Sequence, residues 1–216
     1  MKITETMQKE KTYYVFVYGT LKVGGGNHYL LSNSRFIERY VLDDHILYDI
    51  GHGFPYMTRG GGYGATYGEI YEIDKDTLNR LDALEGLGSL YNRDSIKYLD
   101  KTRIKKVNDS PFICVDLYFY TAIINDFGKY EKLPNGYWSN GNHKEIFNVV
   151  VDGREYSDTA DKIVFHMRFF DGERTPTNID YMKLVKARCH IEHLDTNSEL
   201  IFVTQLISHG VIKETF

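Results

Sequence analysis

The sequence predicts an α+β protein made of two units. Three observations carry that reading. Short runs rich in β-branched and aromatic residues alternate with turn formers, one sharply capped helix interrupts them, and the composition changes near residue 141. The chain has 216 residues, 42% of them hydrophobic and 14% aromatic, which is enough to fill a sizeable core. Lys+Arg 26 stand against Asp+Glu 30, and a net charge of -4 lacks the basic excess of a general nucleic-acid binder. Mean hydropathy is -0.40 and no apolar run approaches the length of a membrane span, so neither nucleic acid nor membrane is an expected partner. The stretch from Met1 to Thr12 mixes acids with bases and has no apolar segment, so no secretory signal is expected. Cys114 and Cys189 supply no disulfide framework and fit a reducing compartment, which gives a cytoplasmic expectation.

The elements follow in order. Tyr13 to Tyr18 is a β-rich run ended by Gly19 and reads as a buried strand. Gly24-Gly25-Gly26 leads into Asn27, a candidate N-cap for a short helix over His28 to Leu31. Segments 35–48, 65–73, 91–99 and 112–121 read as further strands. Asp74 caps a helix over Lys75 to Leu84, and Gly86 stops it. Of the 19 glycines 16 lie at or before Gly141, and of the 18 tyrosines 16 lie at or before Tyr137, whereas five of the eight histidines come later. That shift divides the chain into units 13–141 and 142–216, joined within Asn135 to Asn142, which is dense in turn formers. The second unit reads as a strand or hairpin (146–151, 162–170), a helix over 178–192 capped by Thr177, and a closing strand pair (199–206, 210–215).

Two places carry potential chemistry. At about 100° per residue, Leu78 placed at zero puts Leu81 near 300°, and Glu85 falls between them near 340°. A carboxylate on an apolar stripe is desolvated, and in the last turn it meets the negative end of the helix dipole, so both effects raise its pKa. Spacing alone favours the ordinary outcome for a last-turn acid, turning out to solvent or pairing with a nearby Arg such as Arg93. The second place is Tyr18-Gly19-Thr20-Leu21-Lys22 with the glycines behind it. A strand breaking into such a loop can turn successive N–H groups toward an anion or carbonyl oxygen. It contains neither GxxxxGK[ST] nor GxGxxG, so it is no phosphate loop, and a plain flexible linker is the alternative.

These segments together resemble the gamma-glutamylcyclotransferase-like superfamily, in particular its gamma-glutamylamine cyclotransferase branch. The resemblance runs through Val15 to Lys22, Gly26-Asn27-His28, Gly53-Phe54-Pro55, Gly68 to Ile73, Leu81-Asp82-Ala83-Leu84-Glu85-Gly86, Tyr91, Arg93, Val115 to Tyr120 and Asn135-Gly136-Tyr137-Trp138. It covers about residues 13–140. It implies a small mixed β-barrel with flanking helices and one pocket. Glu85 is then the acid/base, the Tyr18 to Leu21 loop holds the glutamyl end through backbone groups, and no metal or organic cofactor is used. The implied reaction is of a cyclising transferase or lyase type: the α-amine of a γ-glutamyl group attacks its own γ-carbonyl and releases 5-oxoproline and an amine or amino acid.

The residues agree with that chemistry. An α-amine is protonated at neutral pH and needs a base, and a flexible chain must be held coiled for nitrogen to meet carbonyl. Tyr118 and Tyr120 alternate on one strand, so both point to one face and can line the pocket or simply fill the core. Gly86 to Leu90 is looser than expected beside a site, and Gly60 to Gly64 reads as a flap, which leaves the amine side of the substrate open. Residues 142–216 have no counterpart in the family domain, and are candidates for covering the pocket, for homodimerisation or for a protein partner. Cys189-His190-Ile191-Glu192-His193 lacks HExxH spacing and reads as a helix end, not a metal site. The rival expectation is a non-catalytic binding or regulatory protein that uses the same pocket for a small metabolite or peptide end.

Overall fold

The computed structural model describes residues 11–62, 64–100, 113–124, 126–133, 136–139, 146–171, 177–192 and 194–215. In chain order the first unit gives β1 (Tyr13–Val17), a 3-10 turn (His28–Leu31), β2 (Arg35–Asp43), β3 (His45–Asp49), β4 (Pro55–Arg59), β5 (Ala65–Ile73), α1 (Lys75–Leu84), β6 (Tyr91–Asp100), β7 (Ile113–Ala122) and β8 (Glu131–Lys132). One sheet has the order β2-β5-β1-β7-β6, and a smaller one runs β4-β3-β8. The larger sheet is mixed, because β1 pairs antiparallel with β5 but parallel with β7.

β1 explains why this strand reads as a continuous apolar run. Tyr14 and Phe16 point into a core shared with Leu47, Met57 and Phe119, between the two sheets. Val15 and Val17 point the other way, into a core with Leu78 and Leu81 of α1 and with Tyr91 and Tyr120. A strand buried on both faces has no polar side to show. Asp74 caps α1 by accepting from the Thr77 N–H at 2.7 Å, and Gly86, at φ 60, turns the chain out of it. Leu81 is fully buried under the sheet, so truncating it to alanine costs about 2–5 kcal/mol.

The second unit contains β9 (Phe147–Val151), β10 (Arg154–Asp158), α2 (Ala160–Phe170), α3 (Asn178–Cys189), α4 (Glu199–Ser208) and β11 (Lys213–Glu214), with the sheet order β10-β9-β11. Its core includes Val41 of β2 and Tyr67 of β5 beside Phe147, Ile163, Met182 and Phe202. The two units thus share one buried cluster. Arg39 fastens the seam: it pairs with Glu214, donates to the Ile146 carbonyl at 2.9 Å and lies 4.6 Å over the Phe147 ring. The junction expected within 135–142 falls partly outside the described residues.

Two expectations of strand are corrected here. Residues 162–170 belong to α2, where Ile163, Val164 and Met167 are buried at helical spacing. Residues 199–206 belong to α4, which is buried from Ile201 to Gln205 and beyond to Leu206, and carries Ser198 as its cap. α4, buried nearly all round, has no periodicity to separate it from a buried strand, and in both helices the β-branched and aromatic residues favour the strand reading. β11 pairs instead with β9. Among the described residues no helix is long and apolar enough to cross a membrane.

Candidate active site

Because β1 and β7 run parallel, their carboxyl ends open on the same edge of the sheet. A cavity of about 130 Å³ lies there, and it gathers Tyr18, Gly19, Thr20 and Leu21 from the end of β1, Pro55 from the start of β4, Glu85 from the end of α1, Tyr91 from β6 and Tyr120 from β7.

The loop after β1 is built by backbone bonds. The Lys22 N–H donates to the Gly19 carbonyl at 3.1 Å, and the Asn27 N–H donates to the Thr20 carbonyl at 3.0 Å. The Asn27 side chain does not cap the following 3-10 turn as expected. Its amide donates instead to Thr20 Oγ1 at 2.9 Å, bracing the loop from behind. Among the described residues no acceptor takes the N–H of Thr20 or Leu21. Gly19 packs so closely on β4 that an added Cβ would stand 3.0 Å from Pro55 Cδ.

Glu85 is the C-cap of α1, half-buried, with its N–H on the Leu81 carbonyl at 2.9 Å. Its carboxylate makes no ion pair or side-chain hydrogen bond with another described residue. Burial raises its pKa to about 7. The alternative of pairing with Arg93 is not realised, because Arg93 is held by Asp82, whose other oxygen accepts from the Tyr120 hydroxyl at 2.7 Å. The surrounding phenols are fixed as donors. Tyr18 donates to the Tyr120 carbonyl at 2.8 Å and Tyr91 to the Pro55 carbonyl at 3.2 Å. Burial first, and then neighbouring groups including Glu85, push both phenols well above the ordinary tyrosine range.

Tyr118 does not line the cavity, although it shares a strand face with Tyr120, which does. It lies four residues before the strand end, beside Tyr13 with ring centroids 6.2 Å apart and 5.4 Å from Arg93. Leu84, Leu90 and Phe54 also line the cavity, and sequence spacing gives no signal for them, because single apolar side chains at a helix end or in a loop are ordinary. The run from Gly86 to Leu90 is a compact turn, with the Ser89 and Leu90 N–H groups both donating to the Gly86 carbonyl at 2.9 Å. The glycine stretch 60–64 lies apart from the cavity, between β4 and β5. Asp44 ties it there through the Gly60 and Gly62 N–H groups, and Tyr63 lies outside the described residues. His190 ends α3 at φ 54, His193 lies outside the described residues, and among the described ones no three His, Cys, Asp or Glu side chains converge.

Comparison with known proteins places the same segments together. The sequence model of the family described as "Gamma-glutamyl cyclotransferase, AIG2-like" matches residues 15–140. A gamma-glutamylcyclotransferase family protein of Citrobacter rodentium is 39% identical over 83 residues, spanning 38% of this chain and 70% of that protein. The corresponding Escherichia coli K12 family protein is 37% identical over 83 residues, spanning 38% and 71%. Among solved structures, an AIG2-like protein of Mus musculus is 26% identical with a TM-score of 0.45, covering 60% of this chain and 90% of that one.

Proposed function

The chain belongs to the gamma-glutamyl cyclotransferase, AIG2-like family, and from that premise we propose that it is a γ-glutamyl cyclotransferase with Glu85 as its acid/base and the Tyr18 to Leu21 loop as its substrate cradle. The observation that supports this most is the pairing, on one small cavity, of a carboxylate raised to about 7 with two N–H donors that have no other described acceptor.

The chemistry follows from that pairing. The α-carboxylate of a γ-glutamyl compound accepts from the Thr20 and Leu21 N–H groups, as anions do in a backbone nest. Its α-ammonium first releases one proton to bulk water through the open mouth of the cavity, which leaves a neutral amine as the nucleophile. The nitrogen lone pair then forms a bond to the γ-carbonyl carbon, and Glu85 takes the second proton from that nitrogen as the tetrahedral intermediate forms. Collapse breaks the bond from the γ-carbon to the departing nitrogen, which receives the proton back from Glu85. The products are 5-oxoproline and a free amine, no water is consumed, and Glu85 returns to its starting state. A pKa near 7 suits a group that must both take and return a proton. Held this way, the chain is already coiled for ring closure, an effect that can supply several kcal/mol. The free thiols of Cys114 and Cys189 support a cytoplasmic setting as part of the same proposal.

The test is a panel of γ-glutamyl amino acids, γ-glutamyl-ε-lysine, γ-glutamyl amines and glutathione, read by mass spectrometry. Equimolar 5-oxoproline and amine from any member is the expected result. Silence across the panel from a folded protein, with a ligand-induced rise in melting temperature, would point instead to a binding protein.

A further inference from the structure

The loop that carries the Thr20 and Leu21 N–H groups is laid along one face of β5. Tyr67, Glu69 and Tyr71 alternate on that strand and form a row on the face. Each holds one part of the loop. Glu69, which is buried, accepts from the Val23 N–H at 3.0 Å. The Tyr71 ring lies 5.9 Å from that of His28, whose Nδ1 donates to the Leu21 carbonyl at 2.9 Å. Lys22 takes the third place, with its ammonium 4.9 Å from the Tyr67 ring centroid and 3.9 Å from that of Tyr137. Those two rings meet edge to face, 5.5 Å apart. Lys22 is only 3% exposed, and withdrawing an ammonium so far from water is costly. A methionine would fill the same space without that cost, so packing alone does not account for a cation there. The negative faces of two tyrosine rings attract one. Lys22, Tyr67 and Tyr137 do not line the cavity.

We propose that Lys22 is a positioning residue of the candidate site: gripped by Tyr67 and Tyr137, its ammonium fixes the direction in which the Thr20 and Leu21 N–H groups point into the cavity. This rests on the cyclotransferase reading above. Lys22 directly follows Leu21, and its own N–H closes the loop on the Gly19 carbonyl at 3.1 Å, so its side chain anchors the turn that holds both donors. The grip belongs to the seam between the units. The Tyr67 N–H donates to the Gly136 carbonyl at 2.8 Å, and both rings pack in the core shared with Phe202. The second unit thus backs the loop from behind, although none of its described residues lines the cavity.

The test compares the full-length parent with Lys22→Met, Tyr137→Leu and Tyr137→Phe, each checked for folding. One readout is hydrogen exchange at the Asn27 N–H, which closes the loop on the Thr20 carbonyl, set against exchange in α1. The other is kcat/KM for 5-oxoproline release from γ-glutamylalanine or γ-glutamyl-ε-lysine, whichever the parent turns over faster. Lys22→Met and Tyr137→Leu should speed exchange at Asn27 by about tenfold or more while α1 is unchanged. They should also lower kcat/KM by about tenfold or more, with its acid limb kept at about 7 because Glu85 is untouched. Tyr137→Phe keeps the ring face and should restore kcat/KM to within about threefold of the parent. Should Lys22→Met not fold, the two Tyr137 variants decide. Either readout unmoved in the folded variants, or Asn27 exchange that rises only in step with α1, overturns the inference and leaves the cyclotransferase reading intact. No release by the folded parent overturns that reading, and exchange at Asn27 then decides by itself whether Lys22 holds the loop.

Discussion

Asp82 and Glu85 stand three residues apart at the end of α1 and meet opposite surroundings. Asp82 is held between the Arg93 guanidinium and the Tyr120 hydroxyl, whereas Glu85 faces the cavity with no such partner. The Arg93 guanidinium is thus already paired, and desolvation sets the behaviour of Glu85. One carboxylate is tied into the architecture, and the other lines the cavity, where we propose that it acts as the acid/base.

Asp82→Ala should therefore be a stability variant. It strands a partly buried guanidinium and a phenol, and about 2 kcal/mol should be lost in urea unfolding. A loss within about 0.5 kcal/mol, the range of ordinary surface changes, would contradict the assignment.

Glu85→Gln should behave in the opposite way. The folded pKa, about 7, lies above the ordinary 4.5, so the fold favours the protonated form. That preference is fully present below pH 4.5 and is lost as pH rises through about 7, so the ionised carboxylate weakens the protein at alkaline pH. Relative to the parent, Glu85→Gln should gain on the order of 1–3 kcal/mol at pH 8 and nothing at pH 4, read by chemical unfolding at both values. A destabilised variant at pH 8 would show that the carboxylate has partners which the structure does not give it.

The same group should set the acid limb of kcat/KM. Below about pH 7 the free enzyme carries a protonated Glu85, and the rate should fall about tenfold per pH unit. An acid limb near 4.5 would mean an ordinary exposed glutamate.

Gly19→Ala tests the loop. The new methyl would press on the Pro55 ring at 3.0–3.2 Å, and the ring is not the flexible end of a side chain. The loop should shift by a few tenths of an ångström, costing about tenfold or more in kcat with little change in melting temperature. An unchanged kcat would remove the loop from the catalytic geometry.

The shared core predicts that the chain unfolds as one piece. Val41 and Tyr67 are buried with Phe202 and Leu206, and Glu214→Ala would leave Arg39 without its carboxylate at the seam. That variant should lose about 3 kcal/mol while keeping a single unfolding transition by fluorescence and circular dichroism. Two separate transitions in the parent would mean that the second unit folds independently.

Much of the first unit was legible because local signals there agree with tertiary needs. Asp74 and Gly86 mark the ends of α1 in sequence as they do in space, and the helical angle of Glu85 between Leu78 and Leu81 brings it to the cavity edge. β4 carries no local signal, because Pro55 to Arg59 is short and its strand conformation depends on pairing with β3. Ile, Val and Phe favour a strand over both α2 and α4; α4 is buried from Ile201 to Leu206, which erases the period that tells helix from strand, whereas α2 keeps a helical spacing in Ile163, Val164 and Met167 that its β-branched and aromatic residues outweigh. Tyr118 and Tyr120 could not be ranked by alternation, since the choice between them depends on where the cavity stops along β7. Leu84 and Leu90 line the cavity while exposed, which no spacing rule reports.

The most direct measurement is the turnover number for 5-oxoproline release by Glu85→Gln beside the parent at pH 8, with both shown to be folded. Glutamine keeps the shape of the side chain and removes its ability to exchange a proton. A loss of about 10²–10⁴-fold is expected if Glu85 is the acid/base. Turnover within about tenfold of the parent would mean that another group moves the proton, and that the raised pKa of Glu85 reflects burial alone.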